Sequence, residues 1–216
     1  MQGGFFITFE GPEGAGKTTQ IVRLQEALAR RGYDVCVTRE PGGTALGERL
    51  RDLIKHFDDP EGVTPEAELL LFGASRAQHL RLRIEPHLAR GGVVLCDRFA
   101  DSTTVYQGIA RGLDPDFIAA MHRFTIGRRW PDLTIVLDLD VDVGRERARQ
   151  RGRLAPGPAD RIEAEARPFH EAVRNGFLAL AATAPERFRV IPADADPAAV
   201  HARILLEVDR ALGGVP

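Results

Sequence analysis

Cysteine is scarce: Cys36 and Cys96 are the two in the chain, on separate apolar runs and without the spacing of a metal-ligand pair. That excludes a disulfide scaffold and a zinc ribbon, and it fits a protein kept reduced. Neither sign of charge dominates. With a formal net charge of −2, no global field draws the molecule to nucleic acid or to a membrane surface, so anion binding has to be built locally. No apolar run approaches the ~20 residues that cross a bilayer, and no cationic segment precedes a short apolar stretch at the N-terminus. A cytoplasmic protein is expected by elimination. Internal repeats, low-complexity tails and domain linkers are also lacking, and 216 residues read as one domain with a sizeable core.

What is present is alternation. Short runs rich in Val and Ile at 4–10, 34–38, 92–96, 133–138 and 188–191 predict buried strands. Helical patterns at 17–31, 65–90, 114–126, 142–150, 160–182 and 197–212 separate or follow them. Such a chain is expected to form an α/β fold, a five-stranded parallel sheet with helices on both faces. Ligands then gather at the carboxyl ends of the strands. Three segments follow strand ends: "EGPEGAGKTT", "TREPGGT" and "CDRF".

The first of these fits G-x-x-x-x-G-K-[ST], the phosphate-binding loop, through Gly11, Gly16, Lys17 and Thr18. Around them Pro12, Glu13, Gly14, Ala15 and Thr19 complete the candidate triphosphate cradle. Small residues let consecutive N–H groups turn inward on a phosphate, and the helix that follows adds its positive end. Lys17 supplies a point charge for the terminal phosphates, and the Thr18 hydroxyl can ligate Mg²⁺. Glu13 is the oddity, an acid inside a loop made for anions.

A nucleoside triphosphate bound here could serve a GTPase switch, a hydrolysing motor or a kinase for a small acceptor. A guanine reader of the Asn-Lys-x-Asp kind is missing, since the one asparagine, Asn175, is followed by Gly176. Motors need more chain and a transport or nucleic-acid surface. A kinase needs a second pocket and arginines that neutralise the travelling phosphoryl group. In "CDRFADSTTVYQG", Asp97 ends an apolar run, where a carboxylate can orient Mg²⁺ and its waters, and Arg98 can grip an acceptor phosphate. The same dipeptide also serves as a plain ion pair at a strand end. Phe72 and Arg76 lie four residues apart and share a helix face. They suit a stacked base and a donor to its carbonyl, or else a core phenylalanine with a snorkelling arginine. The segment 144–161 carries Arg145, Arg147, Arg149, Arg151 and Arg153 and then turns Pro- and Gly-rich. It reads as a surface flap: a solvated charged face, or a short lid that closes over phosphates.

Taken together, "FEGPEGAGKTTQ", "TREPGGT", "DRFADSTTVYQG", "WPDLTIVLDLD" and "RARQRG…DRIE" resemble, in order and spacing, thymidylate kinase of the bacterial type. That family belongs to the nucleoside monophosphate kinase group of P-loop NTPases. The resemblance implies transfer of the ATP γ-phosphoryl group to dTMP with Mg²⁺, in a homodimer formed through helices of the acceptor side. It implies that Glu13 accepts from the sugar 3′-hydroxyl, which accounts for an acid in the loop. Phe72 would stack on thymine and Arg76 would donate to its O4. Arg98 would hold the dTMP phosphate, and Tyr106 would fill the space of a 2′-hydroxyl, with Gln107 nearby. Arg151, together with Arg149 and Arg147 as alternatives, would reach the ATP phosphates from the lid. Arg49 or Arg51 would assist at the acceptor phosphate. Phe99 departs from the Tyr or His frequent in the family, and "LAPGPA" lengthens the lid, which leaves the phosphate-reaching arginine open. Another deoxynucleotide kinase, or a non-catalytic nucleotide binder, is the alternative.

Overall fold

The structure, a computed structural model, describes residues 3–154 and 160–213, with the backbone alone for 151–154. Five strands, β1 (Phe5–Glu10), β2 (Val35–Arg39), β3 (Val93–Asp97), β4 (Leu133–Asp138) and β5 (Phe188–Pro192), form one sheet in the order β2-β3-β1-β4-β5. All neighbours are parallel, with Phe5 opposite Val93 and Ile7 opposite Leu133. The five expected strands are therefore present, each within a residue or so of its expected bounds. β1 is central and covered on both faces, which is why its sequence is a continuous apolar run rather than an alternating one.

Alternate β1 side chains serve the two faces. Ile7 and Phe9 pack with Leu24 and Leu28 of α1 (Lys17–Arg30) and Val200 and Ile204 of α9 (Pro197–Ala211). Phe6 packs with Val94, Cys96, Leu80, Ile84 and Leu88 on the other side. β1 lies between β3 and β4, so the chain leaves β1 to build one half of the sheet and crosses over to build the other. Such a switch point opens a crevice at the strand ends.

The helices differ from expectation in several places. The stretch expected as one helix at 65–90 is α3 (Pro65–His79), a π-helical turn over Leu80–Ile84, and α4 (Glu85–Ala89). Pro86 has no N–H and its ring crowds the preceding turn, so the helix widens there instead of continuing regularly. An unexpected helix, α2 (Ala45–His56), follows "TREPGGT" and is capped by Thr44, whose hydroxyl accepts from Gly47 N–H at 3.0 Å. Also unexpected are α5 (Ala100–Thr103) and the π-helical segment Thr104–Ala110. α6 (Pro115–Thr125) matches its pattern. α7 runs from Val141 to Leu154, so the first two thirds of the arginine-rich flap is helix. The helix expected from 160 begins only at Arg167, as α8 (Arg167–Thr183). Before it, Asp160 accepts from the N–H groups of Ile162 and Glu163 and holds the chain in a turn. Among the described residues no helix is long and apolar enough to cross a membrane.

The wall that follows β3 is pinned to the far half of the sheet by a buried ion pair. Arg187 donates to both oxygens of Asp101, at 2.6 and 2.9 Å, and to Thr134 Oγ1 at 2.8 Å. Asp101 is 1% exposed, so Arg187→Ala would leave its carboxylate buried and uncompensated. A loss of about 3–5 kcal/mol of stability is expected, read from urea denaturation. A loss under about 1 kcal/mol would mean that solvent or a neighbour replaces the guanidinium.

Candidate active site

The loop between β1 and α1 is shaped by close backbone packing. Gly11 has φ 121°, and a Cβ there would stand 2.3 Å from the Leu137 carbonyl oxygen. Gly14 has φ 72°, and its Cβ would stand 2.2 Å from the Gly144 oxygen of α7. Both positions require glycine on two counts, conformation and space. α1 starts after Gly16 with no side-chain cap and no acid in its first turn, so its N–H groups and positive end are left for an anion. Lys17 is buried and donates to the carbonyls of Gly11 and Pro12, at 3.2 and 2.9 Å. Burial first, and Arg98 second, lower its pKa to about 8, against the pull of Glu13, Asp97 and Glu10.

β3 delivers Asp97 and Arg98 opposite this loop. The Thr18 hydroxyl donates to Asp97 Oδ2 at 3.1 Å, which sets a hydroxyl and a carboxylate side by side. Two hard oxygens suit Mg²⁺, which takes one or two carboxylates and completes its shell with phosphate and water. Among the described residues no group of three or more His, Cys, Asp or Glu could hold a metal by itself. Arg98 is the one non-glycine residue with positive φ, 70°, among the described residues. That conformation costs about 1–3 kcal/mol and is held by Glu10, a residue the sequence reading treated only as a strand end. Glu10 is fully buried at the end of β1 and accepts from Phe99 N–H at 2.8 Å and from the Ser102 hydroxyl at 2.6 Å. It thus fixes the peptide that follows Arg98 and the helix turn beneath it. The Arg98 guanidinium lies 3.9 Å from Glu10 and 3.8 Å from Glu13, and donates to Ser102 Oγ at 3.2 Å. Burial alone would lower its pKa, but Tyr106, Glu13, Glu10 and Asp97 outweigh burial and raise it.

From here a cleft of about 590 Å³ runs between the loop and the helices over β2 and β3. Its lining includes Glu13, Lys17, Thr18, Asp97, Arg98, Phe72, Tyr106 and Gln107, so most of the expected site residues share one cavity. Tyr106 lies under the Arg98 guanidinium, 4.9 Å from centroid to Cζ, and burial raises its pKa to about 12. Gln107 gives its amide N–H to Glu68 at 2.8 Å. Phe72 lines the cleft, whereas Arg76, one turn on, is 1% exposed, does not snorkel and is not part of the lining, so it sits behind the cleft wall. Arg51 lines the cleft and donates to Pro41 O at 3.0 Å, while Arg49 is exposed on α2 and absent from the lining. The pair left open by the sequence is resolved in favour of Arg51 as the cleft residue. Glu40–Pro41 is a cis peptide, and Glu40 and Pro41 form part of the cleft wall.

The arginine-rich helix is less tightly tied. Arg147 donates to Ala193 O at 3.3 Å, and Arg149 is largely exposed and pairs with Glu146 at 3.3 Å. The side chains of Arg151 and Arg153, and the "LAPGPA" stretch but for its helical start, lie outside the described residues. Gly144 anchors the start of α7, since a Cβ there would stand 2.4 Å from Glu13 O. Further along the chain, Lys55 meets Asp160 at 2.6 Å and Arg161 meets Glu68 at 2.5 Å. Glu68 also receives Arg111. Sequence reasoning missed Glu10, Ser102, Glu40 and Glu68. An acid closing an apolar strand was the available signal for Glu10.

Comparison with known proteins was consistent over the chain. The family model for thymidylate kinase matches residues 9–204. A thymidylate kinase of Desulfosudis oleivorans is 49% identical over 207 residues, covering 95% of this chain and 96% of that protein. One from Ectopseudomonas mendocina is 51% identical over 201 residues, covering 93% of each. The crystal structure of thymidylate kinase from Ehrlichia chaffeensis superposes with a TM-score of 0.76 at 34% identity, covering 95% of this chain and 99% of that one.

Glu10 gives the site a pH signature. Burial raises its pKa from 4.5 to about 7, although Arg98 pulls the other way. Between those values the folded protein keeps a proton that the unfolded chain has released, so stability falls as pH rises through that window. The expected contribution is on the order of 3 kcal/mol. Glu10→Gln, which cannot ionise, removes it. Urea midpoints of wild type and Glu10→Gln compared at pH 5 and pH 8 should show the wild type losing ground. Parallel pH dependence in the two proteins would contradict the assignment.

Proposed function

The chain belongs to the thymidylate kinase family, ATP-dependent enzymes that phosphorylate dTMP, and we propose that its cleft divides that work between a donor half and an acceptor half. The reaction is ATP + dTMP → ADP + dTDP. The attacking group is a phosphate oxygen of dTMP, which is largely dianionic at neutral pH because the second pKa of such a monoester is ~6. No general base is required. Catalysis then consists of aligning the two phosphates and offsetting their charge.

On the donor side the N–H groups from Glu13 through Thr19 wrap the ATP phosphates, and Lys17 moves its ammonium from the loop carbonyls to phosphate oxygens. Thr18 and Asp97 would hold Mg²⁺, which would supply charge stabilisation for the phosphoryl group in transfer. On the acceptor side Arg98 grips the dTMP phosphate, with Arg51 nearby. Glu13 accepts from the sugar 3′-hydroxyl, Tyr106 closes the space of a 2′-hydroxyl, and Gln107 borders it. Phe72 stacks on thymine and Arg76 donates to its O4. The observation that carries this reading is Arg98: a cation in a left-handed conformation, aimed into the same cleft as Lys17 and flanked by Glu10 and Glu13. An acceptor phosphate beside Lys17 and Arg98 would relieve the repulsion between them.

The same reading makes the chain a single kinase domain whose segment 144–161 acts as a lid, bringing Arg151, or Arg149 or Arg147, to the ATP phosphates. It makes the protein a cytoplasmic homodimer. Support for a dimer comes from apolar side chains left in solvent on adjoining helices, Leu70 on α3 and Phe117 and Phe124 on α6, the last 87% exposed.

Coupled ADP formation with dTMP, its ribonucleotide, dCMP and dGMP tests the acceptor half, with dTMP expected to lead the panel. A purine turned over better than dTMP would overturn the thymine reading. On the donor half, Arg151→Ala is expected to lower kcat about 10³-fold if it acts as an arginine finger. A loss below about tenfold would move that role to Arg149, Arg147 or Arg153.

A further inference from the structure

Arg76 is held by more machinery than packing requires. Its Nε donates to Glu40 Oε2 at 2.8 Å, and its Nη2 donates to Phe99 O at 3.2 Å and Thr103 Oγ1 at 2.8 Å. Nη1 is buried and has no partner among the described residues. A buried guanidinium edge without an acceptor is costly, so this donor is open to an acceptor from outside the protein.

Behind Arg76 stands a chain of buried polar side chains that phosphoryl transfer does not use. Glu40 Oε1 faces His79 Nδ1 at 3.0 Å, and His79 Nε2 faces Thr38 Oγ1 at 2.6 Å. His79 is 0% exposed and Glu40 4%. Because Nδ1 faces a carboxylate it carries the proton, and in the neutral ring Nε2 then accepts from the Thr38 hydroxyl. Gly43 leaves room for this arrangement, since a Cβ there would stand 2.5 Å from His79 Nε2 and 2.7 Å from Thr38 Oγ1. Each Glu40 oxygen is thereby assigned, one to Arg76 Nε and one to His79. The carboxylate cannot swing round to take Nη1, and the guanidinium plane is fixed through Nε and Nη2.

We propose that Thr38, His79 and Glu40 are positioning residues, an orienting relay that keeps Arg76 Nη1 directed at position 4 of the pyrimidine and so sets the preference for a keto over an amino group there. The proposal rests on Arg76 as the base-reading residue. A C4 keto oxygen accepts from Nη1. A C4 amino group sets N–H against N–H and leaves the buried donor unpaired, the kind of mismatch that hydrogen-bonding sites reject strongly. The strength of that rejection depends on the guanidinium being unable to turn away.

The test compares kcat and KM for dTMP and dCMP in wild type, Arg76→Lys, His79→Leu and Thr38→Val, with thermal melting as the control for folding. For His79→Leu, kcat with dTMP should stay within about threefold, KM should rise about tenfold, and the dTMP to dCMP ratio of kcat/KM should fall about tenfold. Thr38→Val should move the ratio the same way by about threefold, and it decides the question if His79→Leu does not fold. An unchanged ratio in Arg76→Lys would overturn the base-reading role and the relay with it. A lowered ratio in Arg76→Lys with wild-type ratios in the two relay variants would overturn the relay alone. Equal losses with both nucleotides in the relay variants would also overturn it, since that is the pattern of a structural role.

Discussion

A buried lysine and a half-buried arginine lining one cleft set the terms for the rest of this molecule. Lys17 and Arg98 each disfavour the other's charge, and burial weakens Lys17 further. They remain together because Glu10, Glu13 and Asp97 converge on the same space. Glu13 weighs more than Glu10 in this balance, but Glu10 also ties down Phe99 N–H and the Ser102 hydroxyl and so holds Arg98 in a backbone conformation it would not choose. The arrangement is a charge balance prepared for phosphate. In the proposed reading, two nucleotide phosphates entering the cleft would meet both cations there, with the Lys17 ammonium turning from the loop carbonyls to phosphate.

The sheet makes this balance possible. β1 supplies Glu10 and runs into the phosphate loop, and neighbouring β3 supplies Asp97 and Arg98 in register with it, Phe9 opposite Asp97. On the other side of β1, Leu137 of β4 packs its carbonyl against Gly11, and Gly144 of α7 packs against the loop at Gly14. The arginine-bearing helix therefore begins in backbone contact with the phosphate loop, so donor and acceptor groups share one frame. Glu68 does similar work behind the cleft wall, collecting Gln107, Arg111 and Arg161 on one buried carboxylate. The turn after the arginine-rich segment is tied in this way to the helix that carries Phe72.

Much of this was legible in the sequence, for identifiable reasons. The strands are short, β-branched and buried on both faces, so each announced itself as an apolar run. The phosphate loop has a fixed spacing set by phosphate geometry, and Asp97, Arg98, Phe72, Tyr106 and Gln107, singled out from motifs at strand ends or on one helical face, line one cleft. The turn at 160–166 was read as helix because its composition is helix-friendly, whereas Asp160 spends its side chain on backbone N–H groups. The segment Ala100–Ala110 went unseen for the opposite reason: Asp, Ser, Thr and Val favour helix poorly, and only packing against β4 and α8 makes them helical. Glu10, Glu40 and His79 are hydrogen-bonded to partners distant in sequence, and a pattern confined to one segment cannot show them.

The most direct test is to measure, by calorimetry, the affinity of wild type and Arg98→Ala for dTMP and for thymidine, which lacks the phosphate. If Arg98 is the grip on the acceptor phosphate, the variant loses about 30-fold or more in dTMP affinity and keeps its thymidine affinity. Equal losses for both ligands, or undiminished binding of dTMP, would contradict the role given to Arg98 and with it the division of the cleft into donor and acceptor halves.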